Sequence, residues 1–267
     1  MERLRTIFLN FNYTLFIMKN FLILIVLVCC SCNQTEEWQT IFDGNSFDGW
    51  DIKIRYHELG ENYNNTFKAE DGQINVSYED YDEFEDKFGH IFYTKEKFKN
   101  YHLSLDYKFS GEHLKGAPGW SVKNSGIMLH CQHPNTMLID QEFPVSAETQ
   151  LLGGLGEGKR STANICTPGT DVDIDSKRAK QHCINSNSET YHNDDWVNVQ
   201  VIVYSDSLIH HIVEGNKVLT YTNIRVGGNK VPENFLDKLG MPLEDGYISL
   251  QSEGHPVSFR NIKIKKL

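Results

Sequence analysis

The feature that most restricts how this chain folds is period-two alternation, recurring along its length with almost no helical pattern beside it. Residues 101–109 (YHLSLDYKF) set Tyr101, Leu103, Leu105, Tyr107 and Phe109 against His102, Ser104, Asp106 and Lys108. Successive side chains of a strand point to opposite faces, so one face of this segment is apolar and the other wet. Residues 197–203 (VNVQVIV) repeat the pattern, with Val197, Val199, Val201 and Val203 inward. Further strands are expected over 126–130, 145–152, 208–213, 217–221, 247–251 and 257–264. Glu214-Gly215-Asn216-Lys217 reads as a hairpin turn between two of them, because Gly and Asn accept positive φ at low cost. The best helix candidate is 232–239 (PENFLDKL), where Pro suits the first turn and Glu the positive end of the dipole. Many short strands, frequent turns and no βαβ rhythm predict an all-β antiparallel β-sandwich. No repeat, linker or low-complexity tract divides 38–267, and 33–267 is read as a single domain.

The N-terminal residues are read apart from that domain. Residues 21–30 (FLILIVLVCC) are apolar throughout, yet a membrane-spanning helix needs about 20 such residues. A charged start, a short apolar core and a small residue describe a secretory signal instead. Ser31-Cys32 followed by the polar stretch 33–37 resembles the lipidation site of a bacterial lipoprotein, with Cys29 where that motif usually has Leu. Residues 1–32 are therefore expected to be a lipoprotein signal peptide and Cys32 to be acylated. The rest is expected to be exported and held at the bacterial membrane by that lipid alone, an uncleaved apolar anchor being the alternative.

Charge narrows the partners. The chain carries 26 basic and 36 acidic side chains, a net charge of −10. Loss of residues 1–32 removes Arg3, Arg5, Lys19 and Glu2 and leaves −12. With no basic run, the chain lacks the electrostatic footprint of a nucleic-acid binder. Cysteine usage follows from export, because disulfides persist outside the cytosol. With Cys29, Cys30 and Cys32 set aside, Cys131, Cys166 and Cys183 remain, enough for one bridge. Cys166 and Cys183 are the expected pair, since they close a segment rich in Asp, Ser and Lys with little apolar material of its own. Cys131, next to His130 on a strand and so on the opposite face, is the expected free thiol. No CxxC or close Cys-His spacing suggests zinc.

Three strand rows spend successive same-face positions on polar groups: Ser146, Glu148 and Gln150; Asn124, Gly126, Met128 and His130; and Tyr247, Ser249, Gln251 and Glu253. The ordinary reading of such rows is a solvated outer face. The other reading is a sheet face that binds a hydroxyl-rich ligand, because carboxylates and amides pair with sugar hydroxyls. Two carboxylates such as Glu148 and Glu253 would suit glycosidic chemistry, whose course depends on their separation. The glycine-rich segment 153–158 lacks the strand, helix and later acidic residue of a dinucleotide loop and reads as a rim loop. His210 and His211 are adjacent in a strand and point to opposite faces.

At these residues the chain resembles the 3-keto-disaccharide hydrolase family. The resemblance runs from TIFDGNSFDGW (40–50) through the ED-G-x-I pattern at 70–74, KNSGIMLH (123–130) and ETQ (148–150) to GYISLQSEGHPVSFRNIKI (246–264). It implies a jelly roll of the concanavalin-like lectin and glucanase type. It further implies action on a glycoside whose C3 hydroxyl has been oxidised to a ketone, by base-assisted elimination and hydration or by direct hydrolysis. On that reading His130 and Glu148 are the candidate base and acid, in unassigned order. Asn124, Gln150, Gln251 and Glu253 are candidates for binding hydroxyls, with His255 at the cleft rim. Arg260, matching the family's closing FRN, either binds substrate or locks the last strand. A divalent metal ion held by Glu148 or His130 would polarise the ketone. The rival reading is a non-catalytic carbohydrate-binding module, since one sandwich serves both purposes.

Overall fold

The computed structural model describes residues 37–267. The signal-peptide and Cys32 readings fall on residues outside that range. Residues 38–267 form a compact unit. Its strands are, in chain order, β1 (Gln39–Thr40), β2 (Trp50–Ile54), β3 (Phe67–Glu70), β4 (Gln73–Val76), β5 (Gly89–Phe98), β6 (Asn100–Phe109), β7 (Asn124–Cys131) and β8 (Ala147–Leu152). There follow β9 (Asn164–Cys166), β10 (Thr170–Ile174), β11 (Lys177–Arg178), β12 (Cys183–Ile184), β13 (Val197–Tyr204), β14 (Leu208–Val213), β15 (Asn216–Val226), β16 (Gly246–Ser252) and β17 (Val257–Lys266).

Among the described residues these strands make two antiparallel sheets. One has ten strands in the order β11-β10-β15-β14-β13-β6-β17-β4-β3, with β1 added to β17. The other has seven, ordered β12-β9-β8-β7-β16-β5-β2. Sequence neighbours are often far apart in a sheet, as where β17 lies between β6 and β4. The result is the antiparallel sandwich expected from the alternating pattern, in the jelly-roll form that the resemblance implies.

The alternation of β13 is realised residue by residue: Val197, Val199, Val201 and Val203 are buried while Asn198, Gln200 and Ile202 are less so. With Leu103, Leu105 and Tyr107 of β6 they pack against Ile127 and Leu129 of β7, Leu151 of β8 and Ile248 and Leu250 of β16. Each fully buried side chain of this size stabilises the sandwich by about 1.5–3 kcal/mol. One polar cluster sits inside this core. His211 of β14 lies with Nε2 3.0 Å from the Thr149 hydroxyl and 3.1 Å from that of Tyr221, and its Nδ1 donates to Ala163 O at 2.9 Å. It ties the two sheets together while leaving no ring nitrogen unpaired.

The helix expected over 232–239 is a 3₁₀ segment, Glu233–Lys238. Phe235 anchors it in a small cluster with Val145 and Val226, whereas Leu236 and Leu239 are exposed. One buried side chain gives no apolar stripe for an α-helix to lay on the sheet.

Candidate functional site

The outward face of the seven-stranded sheet departs from the usual wet face of an antiparallel sheet. All eight residues of β7 are buried, so the strand is covered on both sides. Strand register then sets out two rows, the first mixed and the second mostly polar. The first runs Phe92, Ser249, Met128, Glu148, Cys166, Cys183 across β5, β16, β7, β8, β9 and β12. In the second, Lys53 pairs with His90 and His90 with Gln251, while Gly126 pairs with Gln150 and Gln150 with Asn164. Gly126 joins its two halves. A Cβ there would lie 2.7 Å from Glu148 Oε1 and 3.1 Å from Gln251 Oε1, so the two side chains meet over the space the glycine leaves.

Over these rows lies a cleft of about 610 Å³, within the size of small-molecule sites. Asn124, Glu148, Gln150 and Glu253 line it. Gln251 is fully buried beneath them. Loops supply the walls: Trp120, Phe143, Leu155, Arg160, Pro168, His182 and Lys230. The Cys166–Cys183 disulfide forms part of one wall, and Cys131 is a buried free thiol.

The floor holds unused hydrogen-bonding capacity. Asn124 Oδ1, both amide atoms of Gln251 and Glu253 Oε2 are buried without a partner. Native interiors rarely leave such atoms unpaired, and four of them beside one carboxyl mark a ligand-binding surface. Gln150 is better held, accepting from Asn164 Nδ2 at 3.0 Å. Burial raises the Glu148 carboxyl to about 8. Glu253 is raised well above the ordinary range by burial first and then by the nearby charge of Glu148, Lys230 opposing weakly. The pair therefore holds protons at neutral pH that exposed carboxylates have lost.

Three expected site residues lie elsewhere. His130 is wholly buried and faces the space between the sheets, its Nδ1 donating to Leu243 O at 2.8 Å and its ring 5.7 Å from that of Tyr101. The cause is a β-bulge: Tyr247 pairs with Cys131 and Ser249 with Met128, so between these pairs two residues of β7, Leu129 and His130, oppose one of β16, Ile248. His130 takes the extra place at φ +50°, which sets it on the same side as Leu129 and turns Cys131 outward to Phe92, Met128 and Met137. A base role in the cleft, or a metal shared there with Glu148, is thereby excluded for His130. Arg260 is on the outward face of the other sheet, its Nε donating to Asp106 Oδ2 at 3.3 Å and its guanidinium 4.0 Å over the Trp196 ring. It locks the last strand to β6. His255 is buried against Phe109 and His113 rather than lining the cleft, and burial, with His113 beside it, lowers its pKa to about 4.

Among the described residues no group of three or more His, Cys, Asp or Glu is placed to hold a metal ion. The wall residues Trp120, Phe143, Arg160, His182 and Lys230 escaped sequence reasoning, since loops carry no periodicity by which to place them.

Two buried carboxyls, unpaired amides and an aromatic rim on this covered face suit a carbohydrate ligand, and the family match agrees. The chain belongs to the family of 3-keto-α-glucoside-1,2-lyase-like domains, whose sequence profile matches residues 37–265. No curated protein matches it. Among solved structures it is similar to one from Parabacteroides distasonis, provisionally described as a glycosyl hydrolase, at 20% identity and TM-score 0.51 over 88% of this chain and 95% of that one. It is also similar to the carbohydrate-binding module CBM66 from Bacillus subtilis, at 6% identity and TM-score 0.49 over 82% and 96% of the two chains. The exoplasmic domain of VIP36, solved with calcium and Man3GlcNAc, shows 11% identity and TM-score 0.48 over 88% and 90%.

Proposed function

We propose that this protein cleaves glycosides whose C3 hydroxyl has been oxidised to a ketone, with Glu148 and Glu253 as a proton-sharing pair. The observation that carries this reading is the pair itself, two carboxyls buried in one cleft and, among the described residues, engaged in no ion pair. Carboxyls of ordinary pKa would both be ionised at neutral pH and leave no acid. A ketone at C3 acidifies the hydrogen at C2. Within the pair, Glu148 is assigned as base and Glu253 as acid. The Glu148 carboxylate takes the C2 proton, the electrons form the C1=C2 bond, and the C1–O bond breaks. Glu253 gives its proton to the departing oxygen. Water adds to C1 of the enone and a proton returns to C2, which leaves the free 3-keto sugar. Asn124, Gln150 and Gln251 bind the sugar hydroxyls.

Export and acylation at Cys32 belong to the same proposal. They are supported by the Cys166–Cys183 bridge, because disulfides persist in oxidising compartments. Mass spectrometry of the membrane-extracted protein checks the anchor, and an unmodified Cys32 overturns it. The activity is tested by incubating the protein with a 3-keto glucoside and the parent glucoside. Release of the aglycone from the keto compound alone is expected. Binding with no turnover of either would replace the enzyme by a carbohydrate-binding module.

A further inference from the structure

Resting on that reading, we infer that the group departing from C1 is an aromatic aglycone seated on Trp120, rather than a second sugar. Trp120, at the end of the segment that leads into β7, lies 53% exposed despite its size. One face of its ring stacks on Phe88, with centroids 6.0 Å apart and planes 5° from parallel. The ring also lines the cleft, next to Asn124. The platform is braced from behind, because His113 Nε2 and the hydroxyl of neighbouring Ser121 are 2.9 Å apart.

The chemistry around the platform differs from that of the floor. Unpaired polar atoms gather at Asn124, Gln251 and Glu253, where one pyranose ring is held. The walls offer Trp120, Phe143 and Leu155. Their cations are already engaged. Arg160 directs Nη1 at Lys123 O and Gly153 O, at 3.1 and 2.6 Å. Lys230 pairs with Glu142 at 2.7 Å and lies 5.0 Å over the Phe143 ring. A second sugar would bring several hydroxyls against these walls with few side chains left to pair them, and each one unpaired weakens binding. A flat apolar ring asks for no partners and gains the stack.

Calorimetry with phenyl glucoside, methyl glucoside, a glucosyl-glucose disaccharide and phenol separates the possibilities without requiring turnover. Phenyl glucoside is expected to bind the wild-type protein about tenfold tighter than the other two glycosides, the ratio one aromatic stack supplies. Trp120→Ala should bring the three within about twofold, Trp120→Phe should keep most of the preference, and Glu148→Gln should leave the ratio intact. Equal affinities in the wild-type protein, tighter binding of the disaccharide, or a preference that survives Trp120→Ala would overturn the inference. If neither small glycoside binds but phenol does, and does so through Trp120, the platform stands and the carbohydrate reading of the floor falls. If nothing binds, the platform falls as well.

Discussion

The two outward faces of the sandwich each carry a carboxylate in mid-strand, and the two have opposite fates. Asp106, on the ten-stranded sheet, accepts from Asn198 Nδ2 at 2.8 Å, from Asn261 Nδ2 at 2.7 Å and from Arg260 Nε at 3.3 Å. Glu148, on the seven-stranded sheet, is more deeply covered, and its pKa is raised by burial alone. Pairing turns the first into a strut for the last strand. Burial without pairing costs folding free energy, and a group kept on such terms is a candidate for binding or catalysis. Both sit in alternating rows, so the distinction lies in what packs over each face.

The sharpest way to break the comparison is to exchange the charges. Glu148→Gln keeps the shape and removes the base; kcat on a 3-keto glucoside is expected to fall about 10²- to 10⁴-fold, the range for losing a proton-transfer group. Asp106→Asn should leave kcat unchanged. Steady-state kinetics on both variants decides the matter. A Glu148→Gln enzyme with raised KM and unchanged kcat would reduce Glu148 to a binding residue.

The disulfide belongs to the same face, since Cys166 stands opposite Glu148 in register. Replacing Cys166 and Cys183 together by Ser releases a loop of sequence separation 17. The chain-entropy account gives a loss of about 3 kcal/mol, to be read from urea unfolding. Stability lost without change in the cleft's affinity for phenyl glucoside would mean that the bridge holds the fold and not the site.

How far the sequence disclosed these faces can be judged from single strands. β6 and β13 were legible because their inward residues are large and apolar and their outward ones wet, the case in which periodicity carries full information. The strands over 39–98 were largely missed. β5 is the clearest reason: Gly89–Tyr93 is buried on both faces and so lacks alternation. For the candidate site, same-face spacing put Glu148 and Gln150 on one row and Asn124 on another, and all three line the cleft. It failed at His130 because one extra residue in β7 moves everything beyond it to the other side, and nothing in NSGIMLHC announces a bulge. The short 3₁₀ segment over 233–238 was misread for a related reason, since propensity and capping are local while the absence of an apolar stripe shows only against the packed sheet.

A smaller effect sharpens the contrast through pH. Because the folded-state pKa of Glu148 lies above the 4.5 of an exposed carboxyl, the folded protein keeps a proton that the unfolded chain has lost. Stability from this group is therefore lost as pH rises from about 4.5 to about 8 and is level above that. Relative to wild type, Glu148→Gln is expected to gain on the order of 2 kcal/mol between pH 5 and about pH 6.5, measured by urea unfolding at each pH. The kinetic counterpart has the same sign: activity that needs ionised Glu148 rises through about pH 8. A stability difference independent of pH would mean that Glu148 is ionised in the folded protein.

The smallest expected effect lies on the other face, and it tests whether that face is inert. Arg260 and Asp106 are partly exposed, with side-chain accessibilities of 39% and 16%. Water screens the pair, so its coupling in a double-mutant cycle of Asp106→Ala and Arg260→Ala should be about 0.5 kcal/mol. The single Asp106→Ala change should cost more, about 1 kcal/mol, because it also strands the amide groups of Asn198 and Asn261. The stack of Arg260 on Trp196 does not depend on Asp106 and should survive its loss. None of these changes should move kcat/KM by more than about twofold, since Asp106, Arg260 and Trp196 lie on the sheet that carries no part of the cleft. A tenfold fall in kcat/KM for Arg260→Ala, with the protein folded, would return Arg260 to the substrate and remove the division of labour between the two faces.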